Sequence, residues 1–338
     1  MKCCAECFGD RGLTKNILPP LVVEQGRCDF CRTQGAQLIE PSSLREYFSA
    51  IANIYEPADG GKILADWLRQ DWRLFDHELM DSVRASSLLS VVLDDAQIVQ
   101  RQLIPSIQYE SESLGKWEVL RDELLHTNRF FPEAAIDYDR LGELLSYLIA
   151  DEVRNTWYRA RIQMGDAAFA LAEMGAPPKR VASHGRANPP GIPYLYLGST
   201  EHTAASEIRP HTGELASVAE FQLPDGLKLV DLREPRKLVS PFELAGEDEI
   251  GGMRMDIGFL ERLGGELTRP VLPQGAAIDY VPSQYLCEFI KKCGYEGVLY
   301  SSSVSDGINL ALFDPTKAVA QSVKTARVTR VEVGIEDV

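Results

Sequence analysis

The chain has no long apolar run. None of its 338 residues belongs to a stretch that approaches the ~20 consecutive apolar positions of a membrane-spanning helix. No membrane segment is expected. Positive charge is scarce as well: 35 Lys and Arg stand against 50 Asp and Glu, a formal net charge of −15. That balance repels nucleic acid and anionic lipid surfaces, and it leaves room for little more than a small cationic pocket around a small anion. Internal repeats and low-complexity segments are absent. The first residues, MKCCAECFGD, hold cysteines and acids where a secretion signal has its apolar region, so a cytoplasmic location is expected. There the seven cysteines would be reduced or metal-bound rather than disulfide-linked. What is present is ordinary for a globular protein, with 45% hydrophobic and 25% charged residues, and the length suits two domains.

Five of the seven cysteines fall within residues 1–40. Cys4-x-x-Cys7 and Cys28-x-x-Cys31 are separated by 20 residues. Two such pairs suit tetrahedral thiolate ligation of zinc, each pair turning tightly enough to place two sulfurs on one ion. A segment this poor in large apolar residues gains its folding energy from the metal. The expected metal is structural, with Cys3 spare. Cys287 and Cys293 read as buried structural thiols.

Residues 41–151 read as helical. Ser43 and Glu46 have capping-box spacing, and Leu44, Tyr47, Phe48, Ile51 and Tyr55 then share one face. Leu88 to Leu103 is apolar enough for a buried helix. Leu141, Leu144, Leu145, Leu148 and Ile149 form another stripe. From residue 152 onward the texture changes. Turn residues bracket short β-type runs: WYRARI, YLYLG, SVAEFQL, LKLVDL, EGVLYS, NLALF and RVTRVEVGI. Helices are expected from Thr200 to about Arg209, capped by Ser199, and from Pro282 to Lys292. The fold class is α+β: a zinc knuckle (1–40), a helical domain (41–151) and a catalytic domain (152–338).

The runs WYRAR, GRANPPGIPYLYL, TAASEI, PSQYLCEFIKKCGYEGVLYSSS and NLALFDP, in that order, resemble the RES domain, over about residues 155–330. The preceding region is similar, more loosely, to the CxxC-bearing and HEPN-like module attached to some RES proteins. The resemblance implies a fold like that of ADP-ribosyltransferases, with a mixed sheet and flanking helices. It implies the toxin half of a toxin–antitoxin pair, with an Xre-type antitoxin as partner. It also implies degradation of NAD, by phosphorolysis with inorganic phosphate or by hydrolysis, or transfer of ADP-ribose to a protein. By position, the family arginine falls on Arg159, with Arg161 one strand period on. The turn arginine falls on Arg186, the strand aromatic on Tyr196 with Tyr194 beside it, the glutamate on Glu207 and the serine on Ser302. Ala187 stands where the family has an aromatic, and Ser301 where a proline is common.

The residue chemistry agrees. Breaking the nicotinamide–ribose bond develops an oxocarbenium-like cation, which one fixed carboxylate, Glu207, would stabilise. Arg159 and Arg186 can fork onto a diphosphate. Tyr194 or Tyr196 offers a flat partner to a ring. Ser302 can bond a phosphate, and His184 can touch one. A competing site is Arg121 and His126, whose R-x4-H spacing matches HEPN ribonucleases, although the short pattern reads more plainly as a surface or inter-helix pair and the acidic charge disfavours RNA. Self-association into a homo-oligomer is left open.

Overall fold

The computed structural model describes residues 1–332 apart from Glu110 and Pro273. A small hairpin of β1 (Glu24–Gly26) and β2 (Ala36–Leu38) carries the second cysteine pair in its loop. There follow α1 (Arg45–Ala52), β3 (Tyr55–Lys62), α2 (Leu64–Trp72), α3 (Ser82–Leu93) and β4 (Leu103–Pro105), the last pairing antiparallel with β3. Next come α4 (Ser113–His126), α5 (Tyr138–Ser146), β5 (Thr156–Ile162), β6 (Leu195–Gly198), α6 (Glu201–Glu207), β7 (Leu215–Gln222) and β8 (Leu229–Asp231). The chain continues through α7 (Pro235–Leu238), α8 (Glu247–Thr268), α9 (Ala276–Asp279) and α10 (Val281–Lys292). It ends on β9 (Gly297–Ser301), β10 (Ile308–Leu312) and β11 (Val319–Arg327).

These elements form two compact units. The first is Met1–Leu114 with Glu234–Phe259, and the second is Gly115–Arg233 with Leu260–Val338. The second unit therefore takes in α5 and nearly all of α4, which the sequence had placed in a separate helical segment, and leaves 234–259 to the first. No helix among the described residues is long and apolar enough to cross a membrane.

The first unit packs around aromatic rings. Phe8 lies 5.5 Å from Phe48 and 6.1 Å from Phe75, and Phe242 lies 5.0 Å from Phe48. Two of its expected features differ. The Ser43–Glu46 capping box does not form, because Pro41 opens a 3-10 turn (Pro41–Leu44) and Ser43 Oγ bonds the Glu40 carbonyl instead. The apolar run from Leu88 is not one helix to Leu103. Helix α3 starts earlier, capped by Asp81, and stops where Asp94 turns left-handed (φ 55°), so Leu103 belongs to β4.

The second unit is built on a seven-stranded mixed sheet in the order β11-β7-β5-β6-β10-β9-β8, antiparallel except for β8 and β9. One face buries Trp157, Leu195, Leu197, Phe221, Leu229, Leu299, Leu310 and Leu312. Each such side chain contributes roughly 1.5–3 kcal/mol on burial. Ala160, Ala204 and Val218 form a second, smaller cluster beneath α6. Six of the seven expected strands fall in place. The last lies earlier than RVTRVEVGI: β11 pairs β7 along its length and ends at Arg327, opposite Leu215, where β7 begins. Residues 333–335 of that run lie outside the described residues.

Helix α8 was not anticipated. Its five glycines hide the helical pattern, yet they have a packing reason. A Cβ at Gly264 would sit 2.3 Å from the Leu232 carbonyl oxygen, so only glycine lets the helix approach that strand end. Cys287 is buried as expected, whereas Cys293, just past α10, is exposed because the helix ends there.

Candidate active site

Strands β5 and β6 pair at a single position, Tyr158 with Gly198, although each has a full ladder on its other side. Beyond that point they part. The gap is a cleft of about 370 Å³ lined by Tyr158, Arg159 and Ala160 on one wall and Tyr196, Leu197 and Gly198 on the other. Its volume lies within the range of small-ligand sites. His184 and Arg186 come from the turn before β6, Glu207 from α6, Tyr280 from the start of α10, and Tyr300, Ser303 and Asn309 from β9, its following loop and β10.

Glu207 is fixed by two donors. Its Oε1 accepts the Ser302 hydroxyl at 2.7 Å and the Asn309 amide at 2.5 Å. Oε2 has no hydrogen-bond partner among the described residues. Asn309 is 4% exposed, so its amide commits to that carboxylate rather than to water. Of the three consecutive serines, Ser302 reaches Glu207 and Ser303 lines the cleft. The helix holding Glu207 is capped by Thr200, whose Oγ1 accepts the Thr203 amide at 3.0 Å. Ser199, the expected cap, is buried and instead accepts the Ile308 amide. Gly198 lets this helix close down. A Cβ there would meet Ala204 N at 2.6 Å.

Arg159 carries a buried Nη1 with no hydrogen-bond partner among the described residues. Burial, reinforced by the neighbouring Arg161, lowers its pKa to about 10, which leaves it cationic at neutral pH. A guanidinium with an unpartnered buried nitrogen at the wall of a cleft has the charge and geometry to take an anion. Arg186 lines the same cleft, its Nη1 bonded to the Arg269 carbonyl at 2.8 Å and its guanidinium 5.1 Å from the Tyr280 ring. Its turn is held from several sides. Tyr196 OH donates to Asn188 Oδ1 at 2.7 Å and accepts the Ala187 amide at 2.9 Å, while Ser283 and Gln284 of α10 bond the carbonyls of Arg186 and Gly185. The small Ala187 is fully buried under this bracing.

The structure thus gathers Arg159, Arg186, Tyr196, Glu207 and Ser302 around one cleft, with His184 exposed at its edge, 6.5 Å from the Tyr280 ring. Two residues do not join them. Tyr194 precedes the strand and is buried against Phe313 at 4.8 Å. Arg161 lies over Phe169 at 4.2 Å and bonds the Glu173 carbonyl, past the end of the cleft. Sequence reasoning missed Asn309, Tyr280, Tyr300 and Tyr158. Asn309 alone carried a signal, as the one polar residue of the NLALF run.

Arg121 and His126 do not converge. Five residues on a helix turn them roughly 140° apart. Arg121 pairs with buried Glu266 at 2.7 Å, while His126 is 63% exposed beside Asp122.

The sulfurs of Cys4, Cys7, Cys28 and Cys31 all lie within 4.8 Å of one another, and all four residues are buried. Cys4 and Cys31 are 3.4 Å apart and Cys7 and Cys28 3.3 Å. Ligands ~2.3 Å from a tetrahedral ion stand ~3.8 Å apart, so the four fit one metal ion. Cys3 stays outside the group and bonds the backbone of Ile39.

The family model of the RES domain matches residues 156–333, more than half of the sequence, and the chain belongs to that family. Among solved structures it is similar to a chain of the crystal structure of the M. tuberculosis MbcT–MbcA toxin–antitoxin complex. That match has 16% identity and a TM-score of 0.32, over 55% of this chain and 92% of the other. No curated protein matches.

Proposed function

We propose that this RES-domain chain is an enzyme that consumes NAD by cleaving the nicotinamide–ribose bond. The observation that carries the reading is Glu207, tethered through one oxygen to Ser302 and Asn309, in a cleft that also holds the unpaired guanidinium of Arg159. In this reading Arg159 and Arg186 take the diphosphate, and the tyrosine walls flank the rings. The second carboxylate oxygen of Glu207 faces the ribose. Nicotinamide leaves with the bonding electron pair and becomes neutral, so its departure requires no acid. The ribose is left as a cation that Glu207 stabilises. An oxygen of inorganic phosphate then bonds the anomeric carbon, giving ADP-ribose phosphate. Water in its place gives ADP-ribose and releases a proton. A protein side chain in its place would make the chain an ADP-ribosyltransferase.

The test is NAD consumption with and without phosphate, with products identified by mass spectrometry and a lysate added in a parallel arm. Wild type should release nicotinamide and Glu207→Ala should not. Equal persistence of NAD in both, under all conditions, refutes the reading. The phosphate arm separates phosphorylase from glycohydrolase, and a labelled protein band identifies the transferase.

Uncontrolled loss of NAD would arrest growth. The chain then fits the toxin of a toxin–antitoxin pair, with an Xre-type antitoxin protein as partner. The ion at the four cysteines is proposed to be zinc in a structural role, since no ligand position is left for water.

A further inference from the structure

We propose that Glu266 and Arg269 are positioning residues for the anion-binding Arg186, and that the R-x4-H arginine of α4, Arg121, belongs to the same device. This rests on the reading of Arg186 as a diphosphate ligand.

Glu266, on the last turns of α8, is 1% exposed. A buried carboxylate is costly unless paired, and this one has three cations. Arg121 Nε and Arg262 Nη1 each reach Oε1 at 2.7 Å, and Arg269 Nε lies 3.4 Å from Oε2. That last contact is an ion pair short of hydrogen-bond geometry, and neither buried atom has a hydrogen-bond partner among the described residues. Arg262 turns its Nε to Glu118 on α4 at 2.5 Å. Helix α4 and the end of α8 are thus locked around one charge.

The consequence for the cleft passes through Arg269. Its carbonyl is the acceptor for Arg186 Nη1 at 2.8 Å. Its Nη2 donates to the carbonyl of Asp279 at 2.7 Å, the residue before Tyr280, over whose ring Arg186 lies. Both contacts that orient Arg186 therefore pass through Arg269, one through its backbone carbonyl and one through its side chain, and Glu266 ion-pairs that side chain. A guanidinium fixed in advance loses less entropy when an anion binds. Arg121 extends this hold to α4, which is why it faces inward while His126 faces solvent.

The experiment is calorimetric titration with ADP-ribose, which carries the diphosphate and needs no turnover. It compares wild type, Arg186→Gln, Glu266→Gln and Arg269→Lys, alongside KM and kcat for NAD. Arg269→Lys keeps a cation for Glu266 but shortens the reach to Asp279, and it stands in should Glu266→Gln fail to fold. Losing a bond to a charged group corresponds to roughly a tenfold to hundredfold weakening. Arg186→Gln should therefore weaken ADP-ribose binding by about tenfold or more. Both positioning variants should approach it, raising KM more than they lower kcat. A merely structural role would instead reduce the binding stoichiometry and the Tm, with the affinity of the folded fraction unchanged. That result overturns the inference. If wild type fails to bind ADP-ribose, or Arg186→Gln binds as tightly as wild type, the reading of the cleft itself fails and the inference with it.

Discussion

Replacing Asn309 by Asp puts a second carboxylate where an amide donor now touches Glu207 Oε1 at 2.5 Å. Two unit charges ~4 Å apart repel by about 4 kcal/mol at an effective dielectric of ~20. At ~1.4 kcal/mol per unit, this delays the second ionisation of the pair by up to roughly three pH units. Glu207 is partly open to solvent, which trims the effect to about two. The pair should then share one proton up to about pH 6. In that state the Asp hydroxyl donates to Glu207 as the amide did, and the site keeps its single negative charge.

The sign follows. A group whose folded pKa is raised stabilises the fold below its unfolded value and loses that contribution as pH rises through the folded one. Asn309→Asp should match wild type most closely at the acid end of the range. Its Tm deficit should grow as pH rises to about 6 and stay level from there to about 8, while NAD turnover falls through about pH 6. Asn309→Leu, which has no donor at any pH, should lose turnover tenfold to a hundredfold throughout, since a bond to a charged group is worth about 1.5–3 kcal/mol. Initial rates and melting curves across pH 5–8 test this. A variant whose pH profile parallels wild type, or which is equally dead at every pH, refutes the assignment of Asn309 as the donor that holds Glu207.

Gly198→Ala drives a Cβ against the backbone of Ala204, so it should cost about 1–3 kcal/mol and lower NAD turnover through displacement of α6; a Tm shift with unchanged turnover contradicts this. Tyr196→Phe leaves Asn188 and the Ala187 amide each short of a partner, and about 1–3 kcal/mol of stability should be lost by chemical denaturation. Elemental analysis should find one zinc per chain, absent from Cys28→Ser. Chelation should lower the Tm of the wild type and leave that of the variant where it already lies.

Features that announce themselves locally were readable in the sequence. The CxxC pairs pointed to the cluster of Cys4, Cys7, Cys28 and Cys31 because two sulfurs three residues apart are readily brought together. The strands around Arg159, Tyr196 and Tyr300 were readable because Pro, Gly and Asp bracket them. The glutamate on α6 came with its cap, displaced by one residue. What escaped depends on distant partners. Helix α8 is written with glycines that make sense only beside Leu232. Glu266 and Arg121 stand 145 positions apart, so the sequence allowed Arg121 an inter-helix pair without showing its partner. Tyr194 was placed by strand alternation, which fails because β6 begins only at Leu195. Arg161 keeps its place on β5 but is drawn over Phe169 and to the Glu173 carbonyl, partners the sequence did not show.

The single contact between β5 and β6 gives the large sheet an internal seam. Three strands lie on one side of it and four on the other, each set carrying its own ladders. Successive residues of a strand direct their amides to alternate sides, so from Arg159 to Ile162 every second N–H faces β7 and the others face the open seam. Deuterium should enter this strand with a two-residue rhythm, fast on the seam side and slow on the other, until something occupies the seam and slows both.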